Sequence, residues 1–337
     1  SVIELRPVVV SIIYFYIQNT KVINKKMKKL NWILLVALIF TFHNFSFAQK
    51  EKEIKVKISG GKLYGTLLTP KSPKNAPIVI LIPGSGATDR NGNSMMMQPN
   101  SYRFLAEELV ENGIGSLRYD KAFIGKSENS LEEKDIDFSH NVEQVVAWID
   151  YLKKKKFNTI ILMGHSEGSL IGMLAAQERE VSKFISLSGT GRVIDEVITQ
   201  QIKEQSPQVL DETKRILAEL KNGNEVEDVP AELVALFRKS VQPYLISWIQ
   251  LDPKVEIAKL SIPTLIVHGS TDIQVTMEDA QLQKEGNESA ELVVIDGMNH
   301  VLKEAKADRD ENLKTYFNPE LPLHKELIPK LTEFILQ

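Results

Sequence analysis

Ile160-Ile161-Leu162-Met163-Gly164-His165-Ser166-Glu167-Gly168-Ser169-Leu170-Ile171-Gly172-Met173-Leu174-Ala175-Ala176 enters as a strand and leaves as a helix. The four apolar residues before Gly164 have the length and bulk of a buried strand, and the stretch from Ser169 has a helical pattern. A chain that changes from one to the other across Gly-x-Ser-x-Gly turns sharply, holds the serine in a strained conformation and leaves its hydroxyl exposed. Strand and helix then pack too closely for side chains at Gly164 and Gly168. The pattern is that of a nucleophile elbow around Ser166.

A bare Gly-x-Ser-x-Gly recurs by chance, so the rest of the chain has to supply the partners of an activated serine. These are a base that takes its proton and an acid that orients the base. Thr264-Leu265-Ile266-Val267-His268-Gly269 reads as a second buried strand, entered through Ile262-Pro263, and Ser270-Thr271-Asp272 follows its end. Asp272 is the candidate acid. A third strand, Glu291-Leu292-Val293-Val294-Ile295, runs through Asp296-Gly297-Met298-Asn299 into His300, the candidate base. Asp296 competes with Asp272 as orienter because it lies only four residues from His300.

With Ser166, Asp272 and His300 in that order, the chain resembles the α/β-hydrolase superfamily from about Gly60 to Gln337. Within it the chain resembles bacterial carboxylesterases whose first loop reads Pro-Gly-Ser-Gly and continues into Asp-Arg-x-Gly-Asn. Here that stretch is Pro83-Gly84-Ser85-Gly86-Ala87-Thr88-Asp89-Arg90-Asn91-Gly92-Asn93, following the apolar Ile78-Val79-Ile80-Leu81-Ile82. Such relatives also carry Arg-Tyr-Asp-Lys-Arg-Gly-Ile-Gly-Lys-Ser. This chain has Arg118-Tyr119-Asp120-Lys121-Ala122-Phe123-Ile124-Gly125-Lys126-Ser127, a departure at Ala122-Phe123 that changes charge and backbone freedom together. That segment is expected to shape a pocket rim. The resemblance implies a doubly wound, mostly parallel α/β-hydrolase sheet with a helical cap insertion, and ester hydrolysis through an acyl-enzyme.

Attack by Ser166 on a carbonyl needs backbone N–H groups aimed at the oxygen that becomes negative. In this fold one comes from the residue after the nucleophile, Glu167, and the other from the loop after Ile82, where Ser85 or Gly86 is the candidate, Ser85 first. Asp89 and Arg90 read as an internal ion pair bracing that loop in preference to a substrate contact.

The chain has 337 residues, 43% hydrophobic and 25% charged, which is ordinary globular material able to bury a large core. With no cysteine it has no disulfide, thiol nucleophile, cysteine metal site or cysteine lipid anchor. Its six histidines show no metal-site spacing, so neither metal nor cofactor is expected. Met27, Lys28-Lys29, the apolar Trp32 to Phe40 and Ser46-Phe47-Ala48 read as an export signal, residues 27–48, cut after Ala48, because the apolar run is too short to span a bilayer. Residues 1–26 read as upstream translation outside the native protein. The mature protein is then periplasmic or secreted, with no stable membrane anchor. Removing residues 1–48 takes the basic and acidic counts from 41 and 44 to 35 and 43, a net charge of −8, which argues against a nucleic-acid partner. Lys153 to Lys156 read as the end of a helix.

Alternation in Ile54-Lys55-Val56-Lys57-Ile58, a turn at Gly60-Gly61 and Leu63 to Leu68 predict an opening antiparallel hairpin. Strands near 78, 114, 160, 184, 264 and 291 alternate with helices near 101, 140, 169, 276 and 323. Residues 191–250 break this rhythm with charged helical sequence, a cap over Ser166 that interrupts its apolar face with charge from Asp195 to Glu219. Phe237, Tyr244 and Trp248, with Met95-Met96-Met97, are candidates to line the pocket, which is expected to be small and to favour acetyl to about hexanoyl esters. The reading is a catalytic domain over residues 49–337, a serine carboxylesterase acting on small-molecule esters. A serine peptidase, an acyl-transferase or thioesterase of the same fold, and a non-catalytic exported binding module are the alternatives.

Overall fold

Ile160–His165 is a strand of six consecutively buried residues at the middle of a nine-stranded sheet. The strands in chain order are β1 (Lys50–Ile58), β2 (Gly61–Thr69), β3 (Ile78–Ile82), β4 (Gly115–Tyr119), β5 (Glu128–Asn129), β6 (Ile160–His165), β7 (Lys183–Leu187), β8 (Thr264–Gly269) and β9 (Glu291–Ile295). The helices are α1 (Ser101–Glu111), α2 (Phe138–Lys154), α3 (Glu167–Glu178), α4 (Ile194–Gln205), α5 (Leu210–Lys221), α6 (Val234–Phe237), α7 (Gln242–Ile249), α8 (Pro253–Ala258), α9 (Met277–Gly286), α10 (Arg309–Lys314) and α11 (Leu327–Leu336). This computed structural model describes residues 50–71 and 75–337. The upstream stretch and export signal read in residues 1–48 lie outside the described residues.

The sheet order is β1-β2-β4-β3-β6-β7-β8-β9, with β5 beside β2; β1, β2 and β5 run antiparallel and the pairs from β4 to β9 are parallel. Parallel strands buried on both faces need apolar side chains along their length, which β3 carries throughout and β6 carries from Ile160 to Met163. Their side chains alternate between two cores. Ile78, Ile80, Ile82, Ile160 and Leu162 face α2 and α3. Val79, Leu81, Ile161 and Met163 face α1 and α11. The opening hairpin turns at Ser59-Gly60 rather than Gly60-Gly61, since Gly61 already pairs with Ile58.

Local chemistry starts the helices where the strands stop. Asp137 caps α2 by accepting from the Ser139 and His140 N–H groups, and Lys153 and Lys154 close its last turn, favourable to the carbonyl end of the helix dipole. Between β7 and β8 the chain leaves the sheet for α4 to α7. Arg192 at the root of this cap pairs with the fully buried Asp279 at 2.7 Å. Among the described residues no helix is long and apolar enough to cross a membrane.

Candidate active site

Ser166 lies between β6 and α3 at φ 54° and ψ −125°, a left-handed backbone for a residue with a side chain. Its N–H donates to Leu187 O at 3.0 Å, which ties the turn to β7. A Cβ at Gly164 would lie 2.1 Å from Gly168 O, and one at Gly168 would lie 2.3 Å from Ile82 O. Neither position has room for any other residue, so the spacing of the two glycines around Ser166 is a steric requirement of the crossing.

The loops after β8 and β9 bring Asp272 and His300 together. His300 Nδ1 donates to Asp272 Oδ2 at 2.8 Å, while Asp272 Oδ1 accepts from the N–H groups of Gln274 at 2.8 Å and Val275 at 3.0 Å. Both side chains are buried. Burial alone raises the Asp272 pKa, but the charge and hydrogen bond of His300, with His268 and the Val275 N–H, outweigh it and hold the carboxyl below its ordinary value. Asp296 points elsewhere, accepting from Ser270 Oγ at 2.7 Å on an exposed loop. Asn299 fastens the His300 loop by donating to Asn312 Oδ1 at 2.9 Å and Thr315 Oγ1 at 2.7 Å, and Asn312 in turn donates to Thr271 O at 2.8 Å beside Asp272.

Ser166 and His300 open onto one small cavity of about 90 Å³, shared with Ser85, Met97 and Tyr102. Ser85 also borders a larger cavity of about 730 Å³ under the cap, on which Gly86 and Glu167 open. The expected oxyanion loop therefore stands between two cavities. Gly84 is pressed against the elbow, with Ser166 Cβ 3.1 Å from where its own Cβ would be.

Three buried side chains not singled out in the sequence hold this junction. His165 Nε2 faces His300 O at 2.8 Å; a carbonyl only accepts, so Nε2 carries the hydrogen and Nδ1 accepts from Tyr102 Oη at 2.8 Å. Tyr102 Oη accepts in turn from the Gly84 N–H at 3.2 Å. The carbonyl of Gly84 accepts from Lys121 Nζ at 2.7 Å. Gly84 is thus clamped on both sides, and through Tyr102 and His165 it is linked to the backbone of His300. Burial, and then the charge of His300, lower the His165 pKa to about 3 and keep the ring neutral. Lys121 Nζ also lies 3.8 Å from Glu167 Oε2, and Tyr244 of the cap donates to Glu167 while accepting from Asn141 Nδ2 at 2.9 Å. Burial lowers the Lys121 pKa, opposed by Glu167. Their sequence signals were faint: His165 lies inside the elbow pentapeptide, and Lys121 follows a strand end.

Other expectations need correcting. Arg90 pairs with Asp120 and not with Asp89: its Nη2 lies 2.6 Å from Asp120 Oδ2, and its own N–H donates to Asp120 Oδ1 at 2.9 Å. Asp89 is used locally, accepting from the Asn91 and Asn93 N–H groups at 2.8 and 2.9 Å. Tyr244 and Trp248 line the larger cavity, but Phe237 is wholly buried in the cap core. Met97 borders the small cavity while Met95 and Met96 are exposed. The 730 Å³ beneath the cap is more than the small pocket expected. Phe123 stands on its rim, as expected of that departure, at φ 68°. Among the described residues no group of three or more His, Cys, Asp or Glu is placed to hold a metal ion.

Among known proteins the chain is 27% identical over 265 residues to esterase EstD of Thermotoga maritima, an alignment covering 75% of this chain and 60% of that relative's length. No family model matches it. Among solved structures it superimposes on Est1E from Butyrivibrio proteoclasticus with a TM-score of 0.58 and 24% identity, covering 84% of this chain and all of that one. It superimposes on the Pyrococcus furiosus esterase Pf2001 with a TM-score of 0.56 and 18% identity, covering 86% and 91% of the two chains. The sheet order, the strained serine after β6 and these superpositions together establish that the chain has the α/β-hydrolase fold.

Proposed function

We propose that the protein is a serine carboxylesterase in which Ser166 is the nucleophile, His300 the base and Asp272 the orienting acid. The observation that carries this reading is the buried 2.8 Å bond from His300 Nδ1 to Asp272, with Ser166 on the same cavity as His300. Fixing the hydrogen on Nδ1 leaves Nε2 as the proton acceptor. Ser166 Oγ attacks the ester carbonyl carbon as its proton passes to His300 Nε2, and the carbonyl oxygen becomes negative against the N–H groups of Ser85 or Gly86 and of Glu167. His300 returns the proton to the alkoxide as the carbon–oxygen bond breaks, and water repeats the sequence on the acyl-enzyme.

Lys121 acts on the first of these donors. A trans peptide points its C=O and N–H in opposite directions, so Lys121 holding the Gly84 carbonyl directs the Ser85 N–H the other way. Esters as the substrate are supported by the esterases among the similar proteins. Export of residues 49–337 belongs to the same proposal and rests on the sequence of residues 27–48. The test is hydrolysis of p-nitrophenyl acetate by residues 49–337 and by Ser166→Ala. The substitution should reduce turnover by about 10⁶-fold, leaving only the residual rate that the oxyanion site and binding supply over water. Turnover in Ser166→Ala within about tenfold of the unaltered protein refutes the assignment.

A further inference from the structure

The two cavities divide an ester unequally. A leaving alkoxide must receive its proton from His300, and His300 and Ser166 both border the cavity of about 90 Å³ while neither borders the one of about 730 Å³, which begins past Ser85, Gly86 and Glu167. The carbonyl oxygen belongs at the loop between them, where Ser85 borders both. The acyl group is then directed away from His300, past Gly86 and Glu167 and under the cap. An apolar cavity of about 150 Å³ takes a benzene ring. The small cavity falls short of that volume and the large one exceeds it.

Most of the exposed wall of the large cavity is apolar, with an aromatic side, although Lys121, His140, Asn141, Gln144, Glu167 and Arg238 also line it. Tyr244 and Trp248 meet edge to face with centroids 5.8 Å apart, backed by Phe138 at 5.7 and 5.5 Å, which makes a fixed aromatic wall. At the rim Phe123 and Leu236 leave 50% and 40% of their surfaces exposed. Phe123 does so at φ 68°, a backbone that glycine adopts freely and phenylalanine at a cost, and the loops this chain resembles carry glycine there. A strained, half-exposed aromatic side chain beside an aromatic wall provides contact area to a ligand while costing the free protein stability.

We propose that the cavity under the cap is an acyl site for acids carrying an aromatic ring, with Phe123 as its rim contact, and that the alcohol side accepts only small groups. This rests on the serine esterase reading. Methyl phenylacetate and benzyl acetate are isomers that place the same ring on the acid or on the alcohol. In the first, the bond from Ser166 Oγ to the phenylacetyl carbon forms as the bond to the methoxy oxygen breaks. Methanol leaves with the proton relayed by His300, and water releases phenylacetic acid.

The experiment measures kcat/KM for both isomers by pH-stat titration. Methyl phenylacetate should be favoured at least ~10-fold, the equivalent of burying one ring edge more on the acid side. Phe123→Gly and Leu236→Trp, which remove the rim or fill the cavity, should each bring that ratio down toward unity; a ratio is insensitive to the fraction of protein that folds. A smaller preference in the unaltered protein, a preference for benzyl acetate, or a ratio unmoved in both variants overturns the acyl site. Hydrolysis of neither isomer while a fluorophosphonate still labels Ser166 also overturns it. Loss of labelling at Ser166 is instead the failure of the esterase reading.

Discussion

Acid should destabilise this protein through His165. The ring is buried between the Tyr102 hydroxyl and the His300 carbonyl, and its pKa falls from 6.5 to about 3 because burial, then the charge of His300, disfavour the imidazolium. Between those values the unfolded chain holds a proton on His165 that the folded protein does not. Stability is therefore full above about pH 6.5 and falls as the pH drops toward 3, where the folded ring is protonated as well. Each unit is worth about 1.36 kcal/mol, so the whole window amounts to about 5 kcal/mol, comparable to the entire stability of many domains. At about pH 4.5 the loss is about 3 kcal/mol. His165→Gln removes the titration while keeping an amide able to donate towards His300 O. It should cost about 1–3 kcal/mol at neutral pH for the disturbed Tyr102 partner. Urea denaturation of both proteins at about pH 7 and 4.5 gives the difference between them at each pH. The advantage of the unaltered protein should fall by about 3 kcal/mol on acidification, to nothing or to a deficit, with His268, also depressed by burial, cancelling because both proteins carry it. Parallel losses in the two proteins would refute the reasoning, since His165 would then not be a neutral group held apart from water.

Two further outcomes follow from the site. Asp272→Asn should reduce kcat by about 10⁴-fold, as loss of the orienting carboxylate leaves the wrong tautomer, whereas Asp296→Asn, whose carboxylate accepts from Ser270, should change it little. The reverse ranking moves the acid to Asp296. Lys121→Met should cost about 10²-fold in kcat with KM nearly unchanged, because the Gly84–Ser85 peptide loses its clamp and its N–H no longer meets the developing charge. A rise in KM at constant kcat would place Lys121 in ground-state binding instead.

The difference between what was legible in the sequence and what was not has a physical source. The elbow is legible because its pattern is short: Gly164 is required by the backbone of Gly168 four residues on, and Gly168 by the backbone of Ile82 and Pro83 on the neighbouring strand end. Asp272 and His300 are legible because a buried strand announces its end, and the loop beyond it is where a side chain can be presented. The clamp on Gly84 is different. Tyr102 belongs to α1, Lys121 follows β4 and His165 ends β6, and they meet because β3 lies between β4 and β6 in the sheet. No spacing along the chain records that neighbourhood. Arg90 beside Asp89 shows the converse error: adjacency suggested a pair, yet Asp89 spends its oxygen on two turn amides and Arg90 reaches Asp120 across the sheet top. Phe237 was misplaced because an aromatic residue in a cap helix has the same pattern whether it faces core or cavity.

An activated Ser166 is the requirement common to every step above. Residues 49–337 should be incubated with a fluorophosphonate, digested and mapped by peptide mass spectrometry, with His300→Ala treated alongside. One phosphonate is expected on the peptide bearing Ser166, formed rapidly in the unaltered protein and at least ~10³-fold more slowly in His300→Ala. Modification at any other serine, or labelling of Ser166 at the same rate without His300, would contradict that requirement.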